Sequence, residues 1–205
     1  MSGNLFVISA PSGAGKTSLV HALLNINPHI KLSVSYTTRN PRPGEHDGKD
    51  YHFVSRETFV IMMGRGEFLE SAEVYGNLYG TSQTWISQET TAGRDILLEI
   101  DWQGAAQVRR LFPECISIFI LPPSMEALEQ RLKGRGKDND EVIARRMAAV
   151  RGDVAHVAEF DYVIINDNLN EALRELNAVV LSARLRCANQ LTRHQALINQ
   201  LQNPE

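Results

Sequence analysis

Short apolar runs alternate with longer stretches of helical periodicity along most of the chain. Four runs rich in aliphatic residues have the length of strands, at residues 5–10, 96–100, 116–121 and 162–165. Strands buried on both faces of a parallel sheet have this nearly continuous apolar character, and the helices between them cover the two faces. The pattern therefore predicts an α/β fold in which helices flank a parallel sheet.

One long segment interrupts this alternation. Residues 33–81 consist of shorter stretches that are rich in the turn-forming residues Asn, Asp, Pro and Gly. We predict an inserted lobe of mixed strands there, with one helix near residues 56–63. The core domain would then comprise residues 1–32 and 82–205.

A second, polar interruption at residues 134–140 places two glycines among charged side chains. It separates a helix that begins near Ser124 from another over residues 141–159, so we predict a small helical lid at 125–160 within the core. Apolar residues then recur every three or four positions from 169 to 201. This spacing predicts one long helix or two consecutive helices that pack either on the core or on another subunit, and the second alternative would make the protein a homo-oligomer.

Composition limits the classes of function. The 205 residues carry a formal net charge of -3, which gives no general attraction to nucleic acid or to an anionic membrane. The two cysteines have no CxxC or Cys/His spacing, and the sequence begins without a basic, apolar leader. No apolar run approaches the roughly 20 residues of a spanning helix. We expect a cytoplasmic protein with neither a membrane nor a nucleic acid as partner.

The first apolar run leads into the segment APSGAGKT at residues 10–17, which matches the Walker A pattern except that Ala10 replaces the leading glycine. Glycines here let backbone N–H groups turn toward a phosphate, and the lysine reaches the β and γ oxygens. A strand-to-helix turn that binds no phosphate is the alternative, but an apolar strand before and a helical pattern after the loop favour the motif. We predict that ATP is bound by Ser12, Gly13, Ala14, Gly15, Lys16, Thr17 and Ser18, and that the Thr17 hydroxyl is a ligand of Mg²⁺.

A P-loop alone does not identify the acceptor of the phosphate. Within the inserted lobe, Arg39 and Arg42 lie three residues apart in a proline-restricted segment. Two guanidinium groups that converge with a phenol suit a phosphate monoester, because arginine offers paired donors and keeps its charge. Taken alone, two arginines in a loop are more often a solvated surface.

Several further segments occur in an order that resembles the guanylate kinase family. They are SVSYTTRNPRPGE at 33–45, GKDYHFV at 48–54, Glu70, YGNLYGTS at 75–82 and IDWQG at 100–104. The resemblance runs from about residue 5 to residue 167 and implies a P-loop core sheet, a GMP-binding lobe and a closing lid. It also implies transfer of phosphate from ATP to GMP, and by extension to dGMP, in purine nucleotide metabolism.

The same resemblance assigns individual residues. It implies that the GMP phosphate is bound by Arg39, Arg42, Tyr51 and Tyr79, and the guanine by Ser35, Glu70 and Thr81. It implies that Arg42 holds the acceptor while Arg135 and Arg146 close over the migrating phosphate, which with Lys16 makes four catalytic candidates. Asn166 and Asp167 would contact the adenine of ATP. The chemistry of guanine agrees, because a carboxylate can accept hydrogen bonds from both N1–H and N2–H.

Some assignments stay open. Asp101 follows a buried strand at the edge where α/β sheets bind ligands, and it would organise Mg²⁺ through water, contact the acceptor nucleotide, or simply end the strand as a cap. Arg131 and Arg145 are as well explained by pairing with Glu129 or Glu141 as by catalysis. The six histidines show no metal-ligand spacing, and we assign them no catalytic role.

Two rival functions remain. A guanylate-kinase-like scaffold would bind proteins without catalysis, but the intact Gly15-Lys16-Thr17 and the lid arginines argue against it. Another P-loop kinase would use a different small acceptor, which the combination of Glu70 with Ser35 and Thr81 disfavours.

Overall fold

The computed structural model describes residues 3–134 and 140–203. The described strands are β1 (Leu5–Ser9), β2 (Ile30–Leu32), β3 (Tyr36–Thr37), β4 (His52–Phe53), β5 (Phe68–Val74), β6 (Asn77–Ser82), β7 (Asp95–Glu99), β8 (Ile116–Leu121) and β9 (Tyr162–Ile165). The described helices are α1 (Lys16–Ile26), α2 (Arg56–Gly64), α3 (Gln83–Thr91), α4 (Trp102–Leu111), α5 (Met125–Gly134), α6 (Asp140–Val154), α7 (Leu169–Arg184), α8 (Cys187–Arg193) and α9 (Gln195–Gln202). A short 3-10 helix lies at Val157–Glu159.

The larger sheet has the strand order β2-β7-β1-β8-β9, and all of its pairings are parallel. The four predicted strands form its centre and one edge, so the predicted fold class is confirmed. Strand β2 was not predicted, because three residues with only one fully buried side chain are too short to produce a recognisable pattern. The carboxyl ends of β1 and β7 meet at one edge, from which the P-loop and residues 100–101 emerge.

Alternate side chains of the central strands pack on opposite sides of this sheet. Phe6 and Leu97 belong to the cluster on one side, which also contains the buried faces of α1 and α7. Val7 and Leu98 belong to the cluster on the other side, together with residues of α3 and α4. A two-residue period within a two-sided apolar core holds β1 and β7 in a fixed register.

The smaller sheet is mixed and has the order β4-β3-β6-β5. Strands β5 and β6 form an antiparallel hairpin, β3 pairs antiparallel with β6, and β4 pairs parallel with β3. Helix α2 covers this sheet through Phe59, which is fully buried and stacks on Phe68 at 4.4 Å between ring centroids. The sheet lies within the segment for which the sequence predicts a lobe, although the division into domains stays a prediction.

The C-terminal region contains three described helices, where the sequence predicted one or two. Helix α7 ends because side chains of α8 bind its last carbonyl groups: Asn189 donates to the oxygen of Ala183 at 2.9 Å, and Gln190 donates to that of Arg184 at 2.8 Å. These bonds replace the backbone bonds of a continuous helix. Within the described ranges, no helix is long and apolar enough to cross a membrane.

Candidate active site

The phosphate-binding loop has the backbone that its glycines predict. Gly13 and Gly15 have φ angles of 93° and 90°, in the left-handed region that favours glycine. A side chain at Gly15 would also clash with the amide group of Asn166. Helix α1 begins directly after this loop, so its first N–H groups face the space above the loop.

Lys16 and Thr17 connect the loop to the end of β7. The ammonium group of Lys16 donates to the carbonyl oxygen of Ile100 at 2.8 Å. Burial lowers the pKa of Lys16, while the carboxylates of Glu99 and Asp101 act in the opposite direction. The Thr17 hydroxyl donates to the carboxylate of Glu99. Glu99 was not predicted from the sequence, although it carries the same signal as Asp101: a carboxylate where a buried strand ends.

Asp101 caps helix α4. One carboxylate oxygen accepts from the backbone N–H of Gly104 at 2.9 Å, and the other accepts from the side chain of Gln103 at 3.0 Å. Asp101 therefore makes the capping contact that was one of its three predicted roles. It also lines the cavity between the two sheets, which is described below. Both observations can hold together, because a carboxylate has about four acceptor positions.

The oxygen atoms at this edge suit a magnesium ion. Mg²⁺ prefers hard oxygen ligands and keeps several waters and substrate phosphates, so it needs few protein ligands. The Thr17 hydroxyl, which contacts Glu99, and the carboxylate of Asp101 supply such oxygens. A cluster of three or more acidic, His or Cys side chains able to hold a metal does not occur in the described part of the chain, and a magnesium ion bound mainly by phosphate would not require one.

A cavity of about 390 Å³ joins the two sheets. The P-loop residues Gly15 and Lys16 line one side of it, and Ser35, Glu70 and Tyr79 line the other. The triphosphate loop and the predicted acceptor site therefore share one space.

Glu70 is 3% exposed, and its carboxylate accepts a hydrogen bond of 2.6 Å from the hydroxyl of Thr81. The two residues are cross-strand neighbours in the β5–β6 hairpin. Burial raises the pKa of Glu70 to about 7, against the lowering effect of the Thr81 hydrogen bond. Glu70 is thus a buried acceptor whose protonation can change near neutral pH.

Helix α4 holds the strand that carries Glu70. The Gln107 side chain donates to the carbonyl oxygen of Ser71 at 2.8 Å and accepts from the Ser71 N–H at 3.2 Å. One turn earlier, a Cβ atom on Gly104 would lie 2.5 Å from a carboxylate oxygen of Glu70. Gly104 therefore leaves room for the carboxylate of Glu70, and Gln107 holds the backbone of Ser71, the next residue after Glu70. Neither the role of Gly104 nor that of Gln107 was predicted from the sequence, because both depend on contacts between distant segments.

Three of the four residues predicted for the acceptor phosphate line the cavity: Arg42, Tyr51 and Tyr79. The Tyr51 and Tyr79 rings lie edge to face at 5.9 Å, and burial raises the pKa of Tyr51 to about 12. Arg39 does not line the cavity and pairs with Glu45 at 2.9 Å while its guanidinium lies over the Tyr51 ring. In this structure Arg39 therefore contacts the Tyr51 ring from outside the cavity.

The chain is similar to known proteins along almost its whole length. The model of the family described as guanylate kinase matches residues 2–183. The guanylate kinase of Thiobacillus denitrificans is 62% identical over 198 residues, covering 97% of this chain and 95% of that protein. The guanylate kinase of Aromatoleum aromaticum is 61% identical, with 95% of each chain covered. The crystal structure of guanylate kinase from Anaplasma phagocytophilum aligns with a TM-score of 0.76 at 33% identity, covering 92% of this chain and 89% of that one.

The chain belongs to the guanylate kinase family. It is therefore an enzyme, a nucleoside monophosphate kinase of the ATP:GMP phosphotransferase type. The family resemblance and the P-loop kinase fold predicted from the sequence are both confirmed.

One residue that the guanylate kinase resemblance assigned to ATP makes a structural contact with the P-loop. The Asn166 amide donates to the carbonyl oxygen of Ala14 at 2.8 Å, so this side chain braces the P-loop. Asp167 is exposed, and neither residue lines the cavity. Arg131 donates to the carbonyl oxygen of Asn166 at 2.9 Å. This structural contact differs from the pairing with Glu129 that was the predicted alternative to catalysis. The adenine contacts of Asn166 and Asp167 stay a prediction.

Among residues of the predicted lid of this guanylate kinase family member, some line the cavity and others make exposed contacts away from it. Arg146 lines the cavity, as does Asp153, which the sequence analysis missed and whose pKa is raised by burial and by Asp101. Arg145 lies 3.9 Å from Glu141 in an exposed pair, as the non-catalytic alternative proposed. Arg135 lies outside the described residues.

The raised pKa of Glu70 predicts a pH-dependent loss of stability. The carboxyl has an ordinary pKa of 4.5 in the unfolded chain and a pKa of about 7 in the folded protein. Between these values only the folded state holds the proton, so the free energy of unfolding falls as pH rises, by about 3 kcal/mol in full. Relative to Glu70→Gln, the wild type should lose this stability between pH 5 and 8 in urea titrations. The Glu114→Gln variant, at an exposed carboxylate, is the control. If the difference in the free energy of unfolding between the wild type and Glu70→Gln did not change with pH, the prediction would be contradicted.

The Gln107–Ser71 contact predicts a selective effect on GMP. Gln107→Leu removes two hydrogen bonds and leaves the Ser71 backbone unpaired, so Glu70 should lose its position. We expect the KM for GMP to rise about tenfold with little change in kcat or in the KM for ATP. Steady-state kinetics measures all three, with Arg110→Leu on the exposed face of α4 as the control. Equal increases in both KM values would indicate general damage and reject the positioning role.

Proposed function

We propose that the chain binds ATP at the P-loop and GMP at the acceptor side of the same cavity, and transfers the γ-phosphate to give ADP and GDP. One observation carries this proposal: Lys16 of the P-loop and the buried carboxylate of Glu70 line a single cavity of about 390 Å³. The proposal includes dGMP, because the residues assigned to the acceptor bind guanine and phosphate. The reaction belongs to purine nucleotide metabolism.

Guanine selection would depend on the Glu70–Thr81 pair. An ionised Glu70 can accept from N1–H and N2–H of guanine, and the hydroxyls of Ser35 and Thr81 can donate to O6 or to the carboxylate. Adenine has an acceptor at N1 and lacks the 2-amino group. Binding adenine would therefore leave buried polar groups unpaired, which can change specificity by several orders of magnitude.

Binding of the acceptor phosphate would use Arg42, Tyr51 and Tyr79, with Arg39 behind them. Burial alone would raise the pKa of Glu45, but hydrogen bonds from Arg39 and the Arg42 backbone hold it below its ordinary value. The ionised Glu45 therefore fixes Arg39 against the Tyr51 ring. This support would keep the acceptor phosphate aligned with the P-loop.

Transfer needs alignment and compensation of negative charge more than a covalent nucleophile. Lys16 would hold the β and γ oxygens from the donor side, and Arg42 the acceptor side. Arg146 would add positive charge from the lid, while the role of Arg135 rests on the family resemblance alone. Mg²⁺, held through Thr17, Glu99 and water near Asp101, would neutralise charge on the triphosphate. Closure of the lobe at 33–81 and the lid at 125–160 would exclude water and prevent hydrolysis of ATP.

We also propose a cytoplasmic location, which is supported by the free thiols of Cys115 and Cys187. Self-association through residues 169–201 stays a prediction of the sequence pattern.

An assay of ADP formation with separate acceptors tests the function. We expect turnover with GMP and dGMP, and little with AMP, CMP or UMP. Lys16→Ala should lower kcat about 100-fold or more, because a preorganised charge on the transferred group is lost. Lys49→Ala, at an exposed lysine outside the cavity, is the control and should retain full activity. If no acceptor gave any ADP, the result would favour the scaffold alternative, and a stronger response to another nucleotide would favour a different kinase.

A further inference from the structure

A second cavity of about 430 Å³ lies at the opposite edge of the larger sheet. It is formed by the turn before β2, the start of β7, and the C-terminal ends of α7 and α8. Strand β7 begins in this cavity at Asp95 and ends beside the P-loop at Glu99. Four steps along a strand span about 13 Å, so the two cavities are separate and could be filled together.

The charges in this cavity are mainly positive. Its lining includes four cations and one carboxylate: Lys31, Arg94, Arg184, Arg193 and Asp95. The adjacent Glu89 pairs with both Lys31 and Arg94. Four cations against two carboxylates leave a local excess of positive charge in a chain whose formal net charge is -3. A local excess of this kind favours an anion in a partly enclosed cavity.

Arg184 is held in place but incompletely paired. Its Nε donates to Asp95 at 2.6 Å, and one terminal nitrogen donates to Asn27 at 3.4 Å. The other terminal nitrogen is buried and has no hydrogen-bond partner among residues 3–134 and 140–203. This nitrogen keeps its share of the guanidinium charge without a hydrogen-bonded acceptor, so the charge of Arg184 adds to the positive potential at the wall of the cavity.

The carboxylates here already have several partners. Asp95 accepts from the backbone and side chain of Asn4 at 2.8 and 2.9 Å in addition to Arg184. Glu89 is bound to Nε and one terminal nitrogen of Arg94 and lies 3.0 Å from the Lys31 ammonium. These bonds satisfy the carboxylates and hold the cations in place. The second terminal nitrogen of Arg94 and further N–H donors of Lys31 remain for a ligand.

Arg193 completes the set. It is the last residue of α8, it is exposed, and its side chain makes no hydrogen bond or ion pair with the part of the chain that the structure describes. Arginine forks and a lysine ammonium around one cavity form a typical arrangement for phosphate groups.

We propose that this cavity is a second anion site, which binds a small phosphorylated metabolite independently of ATP and GMP. The phosphate would accept from the remaining donors of Arg94 and Lys31 and from Arg193, and the charge of Arg184 would attract it at the wall of the cavity. The volume exceeds that of a single phosphate, so the ligand class is an organic phosphate or a polyphosphate.

The test is a titration of the full-length protein with inorganic pyrophosphate at constant ionic strength, followed through backbone amide resonances. Pyrophosphate can also bind the P-loop, so the two sites are read separately: amides of Gly13 and Gly15 report the P-loop, and those of Lys31, Gly93 and Arg94 report the second site. We expect saturable shifts at both sets. In the double variant Lys31→Ala/Arg193→Ala, the affinity at the second set should fall at least about tenfold, while the P-loop set and kinase turnover stay unchanged.

The matched control is Arg174→Ala, which removes an exposed α7 cation that pairs with Glu171 and does not line the cavity. It should leave both sets unchanged. Shifts confined to the P-loop would overturn the proposal. Shifts at the second set that do not saturate would also overturn it. So would an equal loss of affinity in the double variant and in Arg174→Ala, because either result would indicate general charge attraction.

Discussion

The docking of helix α4 between the two sheets is the constraint on which the site depends. Asp101 starts this helix at the end of β7, and Gln107 holds the backbone of Ser71 in the smaller sheet. Gly104, between them, leaves room for the carboxylate of Glu70. The distance between guanine recognition and the P-loop is therefore set by two turns of one helix, which is a stiffer connection than a loop would provide.

The same arrangement concentrates opposing charges around one cavity. Lys16 is buried near Glu99 and Asp101, and burial lowers its pKa while raising those of Glu70 and Asp153. Each of these groups is costly to keep charged without a partner. Nucleotides and Mg²⁺ would bring the missing partners, so substrate binding and the ionisation of the site are expected to be coupled.

The sequence predicted what local patterns determine. The P-loop could be found because its conformation follows from Gly13 and Gly15, and strand β1 because its five residues are all buried. Strand β2 could not, since it is defined by pairing with β7. Glu99, Gln107 and the brace from Asn166 to Ala14 were missed because each acts through a residue more than 30 positions away. The guanylate kinase resemblance supplied the acceptor residues, whereas their supports became visible only in the structure.

The central claim is that one cavity holds the donor and the acceptor in line. Its most direct test is calorimetric titration with a bisubstrate compound in which adenosine and guanosine are joined 5′-to-5′ through a polyphosphate. We expect one molecule of this compound to bind per chain and to prevent both ATP and GMP from binding. Two molecules bound per chain, or undiminished GMP affinity in the complex, would mean that the two sites are separate and would contradict the account.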